Sequence, residues 1–153
     1  MERSPGTRSV VRAISACLLG MACRYDGHVL PEKMRYAPRE DESLIPVCPE
    51  QLGGLPTPRP PANLAGGAGA DVLDGSARVV CEDGRDVTEA FVRGAQATLA
   101  LCRLLHARDA ILKSGSPSCG VGRTRGGGKR IAGDGVTTAL LRREGIDVRE
   151  HPG

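Results

Sequence analysis

Aromatic side chains are almost missing from this 153-residue chain, which has no Trp and only Tyr25, Tyr36 and Phe91. That scarcity argues against a base-stacking platform of the kind that grips single-stranded nucleic acid. Lysine is nearly as rare, at Lys33, Lys113 and Lys129, so the net charge of +3 rests mostly on arginine. A mildly basic balance of that size permits an RNA or an anionic small molecule as partner without demanding either. No apolar run reaches the length of a membrane span, and the opening MERSPGTRS carries no signal-peptide core. The expectation is a cytoplasmic protein with no membrane contact. Paired C-x2-C units are missing too, which argues against a zinc ribbon or finger.

What is present suffices for one folded domain. Apolar residues make up 40% of the chain, while 21 Gly and 11 Pro promise long loops. Residues 1–9 read as a flexible tail and 10–153 as a single domain. Short apolar runs predict strands at 10–16, 44–47, 109–112 and 146–148. Helical spacing of Phe91, Ala95, Leu99, Cys102 and Leu105 predicts a helix over 87–107, started by Asp86 as cap. A second helix is expected at 136–143, after Gly133-Asp134-Gly135, and residues 31–42 are expected to be partly helical. Residues 53–71, dominated by Gly and Pro, predict a long loop without regular elements. Asp74-Gly75 between residues 72–73 and 77–81 predicts a β-hairpin. Alternation of strands and helices gives the fold class: an α/β, three-layer, Rossmann-like domain with a mainly parallel sheet and long Gly/Pro-rich loops. No internal repeat is visible.

Six cysteines in a reducing compartment are free thiols or metal ligands rather than a disulfide framework. Cys17, Cys48 and Cys119 each follow a short apolar run. If those runs are parallel strands of one sheet, the thiols emerge at the same carboxyl edge, where open α/β sheets build their sites. Three converging thiolates point to a metal or iron–sulfur site with one coordination position open. Cys81, in the expected hairpin, and Cys102, on the apolar helix face, default to structure.

The surroundings of these thiols carry more than a core cysteine needs. Cys48-Pro49-Glu50 puts a carboxylate two residues from a thiol, and Ser116-Pro117-Ser118-Cys119-Gly120 sets two hydroxyls beside another. Hydrogen-bond donors of that kind tune the sulfurs of an iron–sulfur cluster. A rival pattern is Cys119-x5-Arg125, the spacing of a phosphate-cradling loop in a phosphatase or arsenate-reductase-like enzyme. It leaves Cys17, Cys48 and Glu50 without a role. A non-catalytic metal, cluster or sulfur-binding protein would use the three thiols but not Glu50.

Five blocks in order resemble one family: SACLLGMACRYDG (15–27), VCPEQLGGLPTPRPPANL (47–64), DVTEAFVRGA (86–95), LKSGSPSCG (112–120) and GDGVTTALL (133–141). This family was long catalogued only as a domain of unknown function. It includes thiouracil desulfidases and short desulfidases acting on 4-thiouridine in transfer RNA (tRNA). The resemblance implies a 4Fe–4S cluster held by Cys17, Cys48 and Cys119, with the fourth iron open to the substrate's sulfur. It implies a non-redox removal of sulfur, as hydrosulfide, from a thiolated pyrimidine base or nucleoside, free or in tRNA. The family's essential Glu corresponds to Glu50, and its essential Ser to Ser116, with Ser118 as the second candidate. Cys23 does not correspond to a family ligand. The chain departs from the family over residues 121–132, where an aromatic–Asp pair is replaced by Arg123, Arg125, Lys129 and Arg130. Such a segment suits phosphate contacts or a solvated loop equally.

Overall fold

The computed structural model describes residues 10–151, and the tail expected at 1–9 lies outside them. Strand β1 runs Val10–Ser15 and passes at once into a 3₁₀ turn, Ala16–Leu19. Strand β2 is Glu42–Val47, and a four-residue helix α1, Pro49–Leu52, starts one residue later. Proline at the first helical position is preorganised for that start and gives up an N–H that no helix would use. Of the helix expected within 31–42, only the 3₁₀ turn Glu32–Met34 forms.

The stretch expected to be one irregular loop holds two regular elements. Ala62–Ala65 is strand β3, and helix α2 covers Gly69–Asp74. Asp74-Gly75 is therefore the end of a helix and not a hairpin turn, with Gly75 left-handed at φ 86°. Strand β4, Arg78–Cys81, pairs antiparallel with β3 across that helix.

Helix α3, Thr88–Leu104, is somewhat shorter than its expected span. The N-cap residue is Val87 and not the expected Asp86, although one Asp86 carboxylate oxygen accepts the Thr88 N–H at 2.9 Å. Strand β5 is Asp109–Lys113, and strands β6, Arg123–Gly126, and β7, Lys129–Ala132, form a short hairpin. Helix α4, Val136–Arg143, keeps its expected bounds, and strand β8 is Asp147–His151.

Two four-stranded sheets result. The first has the order β2-β1-β5-β8 and is parallel throughout. Pro46, which cannot donate to a ladder, sits in its edge strand β2, where that loss is tolerated. The second has the order β4-β3-β6-β7 and joins β3 to β6 through one parallel pair, Leu64 with Gly126. The expected α/β fold with a mainly parallel sheet is thus present, and the second sheet is an addition to it.

Strand alternation decides what each face of the first sheet buries. Ala13, Ala110 and Leu112 join Leu99 and Cys102 of α3 and Leu141 of α4 in one core. Ile14 and Ile111 face the other way, against Leu18, Cys23 and Leu30 of the loop after β1. The amino-terminal half of α3, through Phe91 and Ala95, packs with Leu64, Val79 and Cys81 of the second sheet. Cys81 and Cys102 are core residues, as expected.

Candidate active site

Three neighbouring parallel strands, β2, β1 and β5, deliver Cys48, Cys17 and Cys119 just beyond their carboxyl ends. All three thiols line one cavity of about 480 Å³, together with Cys23, Glu50, Arg59 and Ser116. That volume lies in the range of small-molecule sites. Cys17, Cys23 and Cys119 are buried and Cys48 is half-buried.

Each thiol is held by a different device. Cys17 sits in the 3₁₀ turn that follows β1, with Gly20 left-handed at φ 89° closing that turn. Cys48 is the N-cap residue of α1, whose carbonyl takes the Leu52 N–H at 2.9 Å. α1 in turn lies backbone-to-backbone on α3: a methyl on Gly53 would strike the Ala90 carbonyl, and one on Gly94 the Pro49 carbonyl. Only glycines allow that approach, and it fixes where Cys48 and Glu50 stand.

Cys119 belongs to a loop bolted to the start of α4. The Cys119 N–H donates to Ser116 Oγ at 2.6 Å, and the Thr138 hydroxyl donates to the Cys119 carbonyl at 2.9 Å. The Val136 and Thr137 N–H groups donate to the Pro117 and Ser118 carbonyls, both at 2.9 Å. Ser118 Oγ is buried 2.8 Å from Thr137 Oγ1 and does not line the cavity, whereas Ser116 does. The rival reading of Cys119-x5-Arg125 fails on this loop. A phosphate cradle uses the free N–H groups of a helix start, and here the chain runs from Cys119 into strand β6 while the Val136 and Thr137 N–H groups of α4 are taken by the Pro117 and Ser118 carbonyls.

Cys23 joins the cluster of thiols without having been expected there. Hydrogen bonding with Cys23 pulls Cys17 below the ordinary thiol range, despite burial. The same bond holds Cys23 up at about 11, and Cys48 is pushed up by its bond to Cys23 and by burial. Burial pushes Cys119 up to about 12, against hydrogen bonds from Ser15 and Ser116. Cys48 and Cys119, so placed, hold their protons more tightly than an ordinary thiol and Cys17 less tightly, and a metal centre bound there would release them.

Among the described residues, no three His, Cys, Asp or Glu side chains converge on a single ion. Thiols distributed around a cavity suit a polynuclear centre, in which each thiolate binds a different metal atom. Soft sulfur donors without a nearby imidazole favour iron–sulfur over a hard cation.

Glu50, in the first turn of α1, is the sole carboxylate lining the cavity among the described residues. Its Oε1 accepts from Arg59 Nε at 3.1 Å. Arg59 was not singled out from sequence, although an Arg fixed between Pro58 and Pro60 is a signal in retrospect. Lys113 was also missed; its half-buried ammonium is lowered below the lysine range by burial. Of the four cations in residues 121–132, Arg125, Lys129 and Arg130 reach the cavity on the β6–β7 hairpin, and Arg123 does not. With Arg24 they make the mouth strongly cationic.

Comparison with known proteins adds the family. A structure described as the 4Fe-4S-dependent thiouracil desulfidase TudS superposes with a TM-score of 0.72 and 42% identity, over 94% of this chain and 90% of that one. The uncharacterized protein YbbK of Bacillus subtilis (strain 168) is 48% identical over 139 residues, covering 88% of this chain and 91% of that protein. Residues 13–151 match the 2-thiouracil desulfurase family, and the chain belongs to it.

Proposed function

We propose that this chain is a desulfidase that hydrolyses the C–S bond of a thiolated pyrimidine with a 4Fe–4S cluster held by Cys17, Cys48 and Cys119. The observation that carries this reading is the delivery of three thiols and Glu50 to one cavity from adjacent strand ends. Family membership and the TudS likeness support it. A bound cluster with one iron free of protein ligands would supply a Lewis acid for the thiocarbonyl sulfur.

The protein's own groups supply the rest. Glu50 takes a proton from a water that attacks the thiocarbonyl carbon, help worth roughly 10²–10⁴-fold. It returns that proton as the tetrahedral carbon collapses, so C=S and water become C=O and hydrosulfide with no net redox change. Ser116, on the wall beside Cys119, orients the substrate or meets the developing charge. Ser118, packed on Thr137, supports the loop. The cationic mouth favours a phosphate-bearing substrate, a nucleotide or thiolated tRNA, over a neutral free base. Six unpaired cysteines and the lack, among the described residues, of a helix able to cross a membrane fit a cytoplasmic enzyme.

Anaerobic purification tests the reading. The expected product is brown, with about four irons and four sulfides per chain, and converts 2-thiouracil, 4-thiouridine or thiolated tRNA to the oxygen form. Cys48→Ala loses iron and turnover, whereas Glu50→Gln keeps iron and loses turnover. A folded, iron-free protein, or turnover retained in both variants, refutes the assignment.

A further inference from the structure

Arg59 is the cavity residue that neither cluster ligation nor base catalysis accounts for. Its side chain is only 4% exposed, yet it lines the cavity. A guanidinium has five N–H groups, and each has a destination here. Nε donates to Glu50 Oε1 at 3.1 Å. Nη1 donates to the Pro56 carbonyl at 3.2 Å and to Thr57 Oγ1 at 2.8 Å. Nη2 donates to the Cys23 carbonyl at 2.9 Å and to Cys48 Sγ at 4.0 Å, a long sulfur contact.

Four contacts thus end on protein oxygens within 3.2 Å and the remaining N–H faces Cys48 Sγ, so no parallel pair of N–H groups is free for a substrate phosphate. An arginine that grips phosphate does so with a pair of parallel N–H groups. The anchors are themselves fixed. Thr57 Oγ1 also accepts from Gln51 Nε2 at 2.7 Å, and the Arg59 N–H donates to the Tyr25 carbonyl at 2.8 Å. Three segments meet on this one side chain: the loop after β1, the turn into α1 and the loop behind it.

We infer that Arg59 is a positioning residue, holding the Glu50 carboxylate in one orientation beside Cys48 and taking no part in binding substrate. The inference rests on the reading of Glu50 as the base. A guanidinium held at both Nη atoms presents its Nε–H to Glu50 Oε1 from one fixed direction, which a freely rotating ammonium would not. Misplacing a reacting group by about 1 Å costs on the order of 10²-fold in rate.

The test uses the anaerobic holoenzyme, with kcat and KM on 2-thiouracil and 4-thiouridine and iron content read in parallel. Arg59→Gln is expected to lower kcat by about 10²-fold with KM and iron content near wild type. Thr57→Val removes one anchor, leaves both charges in place and lowers kcat less, again at constant KM; it decides the matter if Arg59→Gln fails to fold. In the Glu50→Gln background, Arg59→Gln adds no further loss, because the group it positions is gone. A rise in KM at constant kcat, additive losses in the double variant, or full activity of Arg59→Gln beside an inactive Glu50→Gln overturns the inference alone. Full activity of Glu50→Gln overturns the base assignment and the inference together.

Discussion

Replacing Gly94 by alanine is the sharpest test of how the fold positions the site. In an exposed helix, glycine to alanine gains about 1 kcal/mol from lower backbone entropy in the unfolded chain. Here the new methyl would fall on the Pro49 carbonyl, and Gly94 is buried mid-helix in α3. Forcing a methyl into a close-packed contact costs typically 1–3 kcal/mol, and backbone against backbone offers no flexible side chain to yield. The upper end applies, so the net effect is about 2 kcal/mol of destabilisation. For a chain of this length that is a fall in Tm of roughly 4–8 °C. The functional effect is larger, because relief requires α1 to retreat, and α1 carries Glu50 directly behind Cys48. Displacement of the base by about 1 Å predicts a kcat loss near 10²-fold. Calorimetry and turnover of the iron-loaded variant measure both. A Gly94→Ala protein that melts higher and turns over normally would refute the backbone contact as the device that places Glu50.

Two further outcomes follow from the thiols and the rim. With Cys17, Cys48 and Cys119 as the proposed ligands and Cys23 a hydrogen-bonding neighbour of two of them, Cys23→Ala should retain cluster iron, whereas Cys17→Ala and Cys119→Ala should lose it; iron analysis after anaerobic desalting separates the two cases. Exchanging Lys129 and Arg130 for Gln should raise KM for a thiolated nucleotide or RNA several-fold and leave KM for 2-thiouracil unchanged, with the salt dependence of the former reduced.

The parts of this molecule that announced themselves in the sequence are those whose signal is local and periodic. β1, β2 and β5 grow from short apolar runs, of which β2 buries only Val47, and α4 follows a Gly-Asp-Gly stop. The apolar face of α3 repeats at helical spacing from Phe91 to Cys102. Because the strands are parallel neighbours, reading a cysteine after each of three of them was enough to place three thiols at one edge. In the second sheet only β4 had such a signal, falling within the strand expected at 77–81. β3 is four residues inside a Gly/Pro-rich stretch, and β6 and β7 read Arg-Thr-Arg-Gly and Lys-Arg-Ile-Ala. Their strand character comes from the partner each finds, since β-propensity is largely a matter of tertiary packing.

Arg59 was hidden for a related reason, and that reason bears on how the site works. Its partners come from positions 23, 48, 50, 56 and 57, so no spacing motif could collect them. A side chain that joins loops distant in sequence can be read only after the sheet has brought their roots together. The three strand ends bring the thiols to one place. The orientation of the carboxylate among them is set afterwards, by contacts between loops. It follows that changes in the strands should cost iron and activity together, whereas changes in the loop contacts around Arg59 should cost activity alone.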